Sequence, residues 1–233
     1  MRRVRTAGAV LALLALMGCS KSTMPTEASL YSADSPALLE LMPPPTSPAG
    51  AVQALDWCMY QRNWRRLAEL LTDDYQFVFA AADSSGNAFP GHLLLRADEL
   101  GCSQHLFETG TATEPPASRA DFVVDRNLVA TPDPRPGKDP AVHQTIFTAV
   151  TITIEAGDQQ YRILGHARFY LVRGDSVAIP PDLAAHGFHP DPSRWWIDRW
   201  DDLTLFGSGG APAIEGTLPT GNKTWGSILA LYR

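Results

Sequence analysis

Two groups of acidic residues and one pair of histidines carry the side chains with which this chain could do chemistry. Asp73 and Asp74 stand side by side after an apolar run. They suit a paired-carboxylate acid–base site, or a solvated turn that ends a helix. Asp198, Asp201 and Asp202 are interspersed with Trp196 and Trp200. One of them beside His166 would form a histidine–carboxylate dyad, able to take up and return a proton near neutral pH. The plainer reading is a strand with one polar face. His186-Gly187-Phe188-His189 offers two imidazoles. Paired zinc histidines on a helix stand four apart and need a third ligand and an orienting partner. A proline-broken loop supplies no such frame, so no metal and no cofactor is assigned. Gly207-Ser208-Gly209-Gly210 lacks the lysine and the helix start of a phosphate loop. Cys58 and Cys102 fall at apolar positions, either as a disulfide or as two separate buried thiols.

The composition limits what these groups can serve. The chain has 233 residues, 45% of them hydrophobic and 19% charged, with a net charge of −6. That is ample for a core without a metal or disulfide staple. A negative balance argues against a sequence-independent nucleic-acid binder, which needs a basic face.

The N-terminus carries an address. Arg2, Arg3 and Arg5 precede an unbroken small and apolar run from Ala7 to Met17. A basic start followed by an apolar stretch of about 7–15 residues reads as a secretory signal, and it is shorter than the ~20 residues a membrane span requires. The run closes in Leu16-Met17-Gly18-Cys19, which resembles the lipobox of bacterial lipoproteins. The resemblance implies acylation of the Cys19 thiol, cleavage after residue 18 and acylation of the new amino group. Ser20 after the cysteine, in place of an aspartate, is similar to lipoproteins sent on to an outer membrane. Cutting off residues 1–18 removes three arginines and no acid, leaving 16 basic against 25 acidic residues, a charge of −9. Two acyl chains already give stable anchoring, so the expected partner is a lipid bilayer.

Residues 19–47 are rich in Ser, Thr and Pro, the composition of a tether. Within it, Ser35-Pro36 could start one short helix. Ser47-Pro48 is a helix start, and Val52, Leu55, Cys58 and Met59 recur at helical spacing to about Gln61. Asn63 predicts the cap of a second helix through Leu67, Leu70 and Leu71, ended by Thr72-Asp73-Asp74. Tyr75, Phe77 and Phe79 alternate as a strand. Leu93 to Phe107 returns to helical period. Strands are expected at about 120–130, 143–155, 160–173 and 194–205, with a hairpin turn at Glu155-Ala156-Gly157-Asp158 and a long loop over 177–192. Along the last strand, Trp195 and Ile197 should point one way and Trp196 and Trp200 the other. That leaves a second apolar face to be covered by the tail (Trp225, Ile228, Leu231) or a second subunit, the tail being favoured because it is already tethered.

A helix pair, a strand, a third helix and a run of long antiparallel strands make an α+β plan. It resembles the nuclear transport factor 2-like (SnoaL-like, cystatin-like) cone. The residues that carry the likeness are Ala54 to Phe79, with Gln61-Arg62-Asn63-Trp64 and Leu71-Thr72-Asp73-Asp74-Tyr75, and the closing Trp195-Trp196-Ile197-Asp198-Arg199-Trp200-Asp201-Asp202. The likeness places the cone over residues 48–205 and a C-terminal extension packing on it over 206–233. It also places Cys58 and Cys102 on helices that pack on one sheet. Steroid-isomerase-like members carry a catalytic aspartate a few residues beyond the Asp-Asp pair, where this chain has Phe79. Two functions follow as expectations. One is a non-catalytic cone that binds an envelope protein or a small apolar ligand. The other is a small-molecule isomerase, dehydratase or hydrolase using His166, Asp198 or Asp201. They part on whether the cone is hollow or filled by Phe77, Phe79, Tyr170 and the tryptophans.

Overall fold

The computed structural model describes residues 42–174, 179–204 and 223–233. The expected leader, the lipobox-like run ending in Cys19, the short helix expected after Ser35 and the expected Gly207–Gly210 turn lie outside the described residues.

Helix α1 (Pro48–Tyr60) starts where its cap chemistry dictates: Ser47 Oγ accepts from the Gly50 amide at 3.0 Å, with proline in the first turn. Its buried face is Ala51, Val52, Ala54, Leu55, Cys58 and Met59. Asn63 caps α2 (Trp64–Ala68), its Oδ1 accepting from the Arg66 amide at 3.0 Å. The second helix is shorter than the leucine spacing predicts. Leu71 already belongs to strand β1 (Leu71–Val78), because it pairs with Ile197 of the last strand while the Ile197 amide donates to Leu70 O at 2.8 Å. Asp73 and Asp74 are therefore exposed strand residues and not a helix stop.

The expected helix from Leu93 divides in two. Leu93–Leu95 is strand β2, on the edge beside Gln76–Val78 of β1, and α3 (Arg96–Gln104) follows, running into a wider turn over His105–Thr109. A short leucine run does not distinguish strand from helix by periodicity, and edge pairing decides it. The stretch expected as one strand from 120 to 130 is β3 (Ala117–Val124) and a short β4 (Ala130–Pro132). Strands β5 (His143–Ala156) and β6 (Gln159–Arg173) form a long hairpin around Gly157-Asp158, with Gly157 at φ 59°. The 177–192 loop contains a short helix α4 (Pro181–Ala185), started by its proline. Strand β7 (Trp195–Asp202) and helix α5 (Trp225–Leu231) complete the described elements.

The strands form one sheet in the order β2-β1-β7-β6-β5-β3, with β4 paired to β5. All pairs are antiparallel except β1–β7, which is parallel. One face of the sheet packs on α1, α3 and α5. This is an α+β cone of long antiparallel strands on N-terminal helices.

A bulge sets the facing of the last strand. Tyr170 pairs with Arg199 and Leu171 with Ile197, so Asp198 is the extra residue. Two residues opposing one reverse the alternation beyond that point. Trp195, Ile197 and Trp200 consequently all join the cone core. Trp196 alone of the tryptophans on β7 belongs to the outer side. There it packs with Val172, Leu183, Ile179 and Phe188, and Arg194 stacks on it at 4.6 Å. The segment around α4, and not the C-terminal tail, covers that face.

Candidate functional site

The cone interior is built of rings. Trp200 is their hub, with centroids of Phe77, Phe122 and Phe169 at 5.5, 5.5 and 5.1 Å. Phe77 meets Phe79 edge-on at 5.2 Å, and Phe79 stacks on Phe89 at 5.3 Å. Such edge and offset contacts add to the burial of large apolar area. The position where the resemblance would set a catalytic aspartate is thus a buried phenylalanine inside a packed cluster.

Helix α5 supplies the last piece. Trp225 lies on Trp200 at 6.0 Å with planes 9° apart, and Ile228, Leu229 and Tyr232 join the same core. A capping box starts this helix: Thr224 Oγ1 accepts from the Ser227 amide at 2.9 Å, and the Thr224 amide donates to Ser227 Oγ at 3.0 Å. Its far end is held by Tyr232, whose hydroxyl donates to Pro115 O at 2.8 Å and whose carbonyl accepts from His105 Nδ1 at 2.8 Å.

Three buried carboxyls gather at the start of α5. Asp83 accepts a hydrogen bond from Thr224 Oγ1 and another from the Ser85 amide at 2.9 Å. Asp202, the only member of the β7 acidic group on the cone side, accepts from the Thr204 amide at 2.9 Å, and the Gly226 amide also favours its charged form. Burial nevertheless raises the Asp202 carboxyl above the usual carboxylate range, with Asp83 adding to the rise. The third is Glu99 on α3, only 2% exposed. Burial pushes its carboxyl up to about 8, although the Trp225 indole favours the ionised form. Neither Glu99 Oε2 nor Trp225 Nε1 completes a hydrogen bond, and Thr72 Oγ1 and Ser103 Oγ are likewise buried without a partner. Burial and the Glu99 charge push the neighbouring Tyr75 hydroxyl well up.

No motif marks Glu99 in the sequence, yet a signal exists. Glu99, Cys102, Ser103 and Leu106 follow i, i+3, i+4, i+7 spacing and are all buried, so the acid occupies the apolar stripe of its helix.

The candidates His166, Asp198, Asp201, His186 and His189 lie elsewhere. His166 is exposed on the outer face, its ring stacked on Phe147 at 5.1 Å. Asp198 sits at the bulge and meets Arg135, which also grips Asp133 at 2.7 Å. It lies about four residues along the β6 register from His166, roughly 13 Å at ~3.3 Å per residue. Asp201 is diagonal to His166 in the register, but accepts from the Tyr170 hydroxyl at 3.2 Å and from Arg199 Nε. No proton-transfer dyad is assembled from these residues. Tyr170 is an outer-face residue too, covered by Arg135 at 4.2 Å, and does not fill the cone. His186 Nδ1 donates to Asp182 O at 2.7 Å, and both loop histidines are exposed. Among the described residues no group of three or more His, Cys, Asp or Glu could hold a metal ion, and no helix is long and apolar enough to cross a membrane. Cys58 and Cys102 are free thiols; burial pushes Cys102 up to about 12 and Cys58 higher still.

The outer face also exposes apolar groups. Val123, Thr151 and Leu164 form one row across β3, β5 and β6, and Phe147 lies on the same face. Val123, Leu164 and Phe147 are all more than half exposed, at 58%, 58% and 54%.

No family model matches this chain, and no curated protein matches it. Solved structures are similar in fold. A nuclear transport factor 2-like protein of unknown function in nutrient uptake from Rhodospirillum rubrum aligns with a TM-score of 0.43 at 12% identity, over 68% of this chain and 98% of that one. A nuclear transport factor 2-like protein with a cystatin-like fold from Novosphingobium aromaticivorans aligns at 0.42 and 12%, over 76% and 94%. A nuclear transport factor 2-like superfamily protein from Salmonella enterica serovar Typhimurium aligns at 0.41 and 9%, over 76% and 96%.

Proposed function

We propose that this chain is a membrane-anchored extracytoplasmic lipoprotein whose cone binds an envelope protein through its exterior and catalyses no reaction in its interior. The observation that carries the non-catalytic half is the stacking of Trp225 on Trp200, which fills the cone with the chain's own side chains. Phe79 in place of a general base and the separation of His166 from Asp198 support the same reading. The exposed row of Val123 and Leu164 beside Phe147 supplies apolar surface for a partner. A small apolar ligand inside the cone would have to displace α5.

The anchor half rests on Leu16-Met17-Gly18-Cys19 and the basic, apolar stretch before it. Cys19→Ser should abolish globomycin-sensitive processing and the lipid mass on the mature protein; an unchanged mass would sink the anchor. For the cone, the indole N–H resonances of Trp200 and Trp225 should stay unmoved when a panel of small apolar compounds is titrated at about pH 6. Saturable shifts at both would favour the second reading, a small-molecule isomerase, dehydratase or hydrolase. In that case Glu99, a carboxyl neutral at that pH, would be the general acid.

A further inference from the structure

We propose that α5 is a proton-dependent plug, docked in the cone while Glu99 is protonated and released when Glu99 ionises. This rests on the reading of the cone as filled by α5, and it adds what controls that filling.

The geometry comes first. Three residues at the start of α5 each meet an acid: Thr224 meets Asp83, Gly226 meets Asp202, and Trp225 meets Glu99. Asp83 and Asp202 accept hydrogen bonds from backbone amides, which can hold a charge. Asp202 Oδ2 and Glu99 Oε2 are both unpartnered, but Asp202 holds the Thr204 amide on its other oxygen, whereas only the Trp225 indole favours the charged form of Glu99. The groups around it are Tyr75 on β1 and Cys102 and Asp98 on α3; the Arg233 charge reaches Cys102 but is not among the influences on Glu99. Of the other charged and titratable groups that meet α5 or its neighbours, Arg233 donates to Ala88 O at 2.6 Å, His105 bonds Tyr232 O, Glu114 lies toward Tyr232, and His92 packs on Phe79 at 5.4 Å. An ionised Glu99 beneath a docked Trp225 is therefore a buried, unpaired charge, which is among the costliest arrangements a fold can hold.

The sign follows from the two states. Docked, Glu99 keeps its proton up to about pH 8; exposed, it would ionise at its ordinary value of 4.5. Rising pH in that window favours the undocked state.

Hydrogen exchange on the full mature chain, read by mass spectrometry over residues 226–232, tests the proposal. Protection factors, corrected for the chemical exchange rate, should fall on the order of a hundredfold between about pH 6 and about pH 9. Glu99→Gln should hold them constant, and the β5–β6 hairpin should keep its protection in both proteins. Equal protection of α5 at both pH values in the wild type would overturn the proton control and leave the filled cone standing. Weak protection at every pH would overturn the filled cone as well. Parallel loss in the β5–β6 hairpin would mean global unfolding and overturn the plug.

Discussion

Trp200 and Trp225 lie with ring planes 9° apart and centroids 6.0 Å apart, joining the last strand to the C-terminal helix across the interior of the cone. Neither ring could reach the other by local structure alone. The bulge at Asp198 turns Trp200 inward, and Gly226 lets α5 lie directly on Phe79.

Gly226→Ala should loosen that docking. A Cβ there would come 2.4 Å from Phe79 Cδ1 and 3.1 Å from Phe77 Cε1, inside a cluster with no slack. Overpacking of this kind costs about 1–3 kcal/mol, to be read as a lower urea midpoint at unchanged slope. A midpoint equal to wild type would show that α5 has room to shift.

Global stability should decline with pH through Glu99. The folded carboxyl titrates near 8 and the unfolded one near 4.5, so between them the folded chain holds a proton that the unfolded chain has lost. Stability contributed by that proton is fully present below about pH 4.5, falls by a few kcal/mol as pH rises, and levels off above about pH 8. Glu99→Gln should flatten this decline in chemical unfolding measured across the window. A wild-type profile that rises from pH 5 to pH 8 would contradict the assignment.

Arg135 should matter more than a surface arginine. Its guanidinium bonds both oxygens of Asp133, reaches Asp198 and covers the Tyr170 ring at 4.2 Å. Arg135→Ala would leave two largely buried carboxylates without their main partner, a loss of about 2–4 kcal/mol. Arg135→Lys should recover only part of it, because a single ammonium cannot reproduce the planar fork. The melting temperatures of the two variants check the order.

The two core cysteines should be silent in the native protein. Both thiols are free and buried, and burial holds them protonated. In a Cys19→Ser background, an aromatic disulfide reagent should label neither Cys58 nor Cys102 until denaturant is added, and should then label both. Fast labelling of the folded chain would contradict this packing, and failure to label the unfolded chain would indicate a disulfide.

Much of the scaffold was legible because its signals are local. Ser47-Pro48 and Asn63 mark their helix starts by side-chain chemistry within one turn, and Gly157-Asp158 marks the long hairpin. The departures share one cause: a pairing partner distant in sequence. Leu71 is strand because of Ile197, and Leu93–Leu95 is strand because of Gln76–Val78. The candidate site was less legible. Unbroken alternation along the last strand does not reveal the bulge at Asp198, and the β6 register sets His166 about four residues from it, against Phe147. Glu99 stood in plain view within an apolar stripe, but its meaning depends on Trp225, which is 126 residues away in the chain.

The sequence by itself determined the α+β plan, the helix starts, the long hairpin and the acidic character of the chain, since periodicity, capping and charge act over a few residues. The resemblance of Leu16-Met17-Gly18-Cys19 to a lipobox is likewise read from contiguous residues. Only the tertiary structure decided that α5 packs into the cone, and that a glutamate is buried beside its tryptophan with its carboxyl pushed up by burial. Those properties depend on which side chains from distant segments share one volume, and on how far that packing excludes water from a carboxyl. No local pattern contains that information.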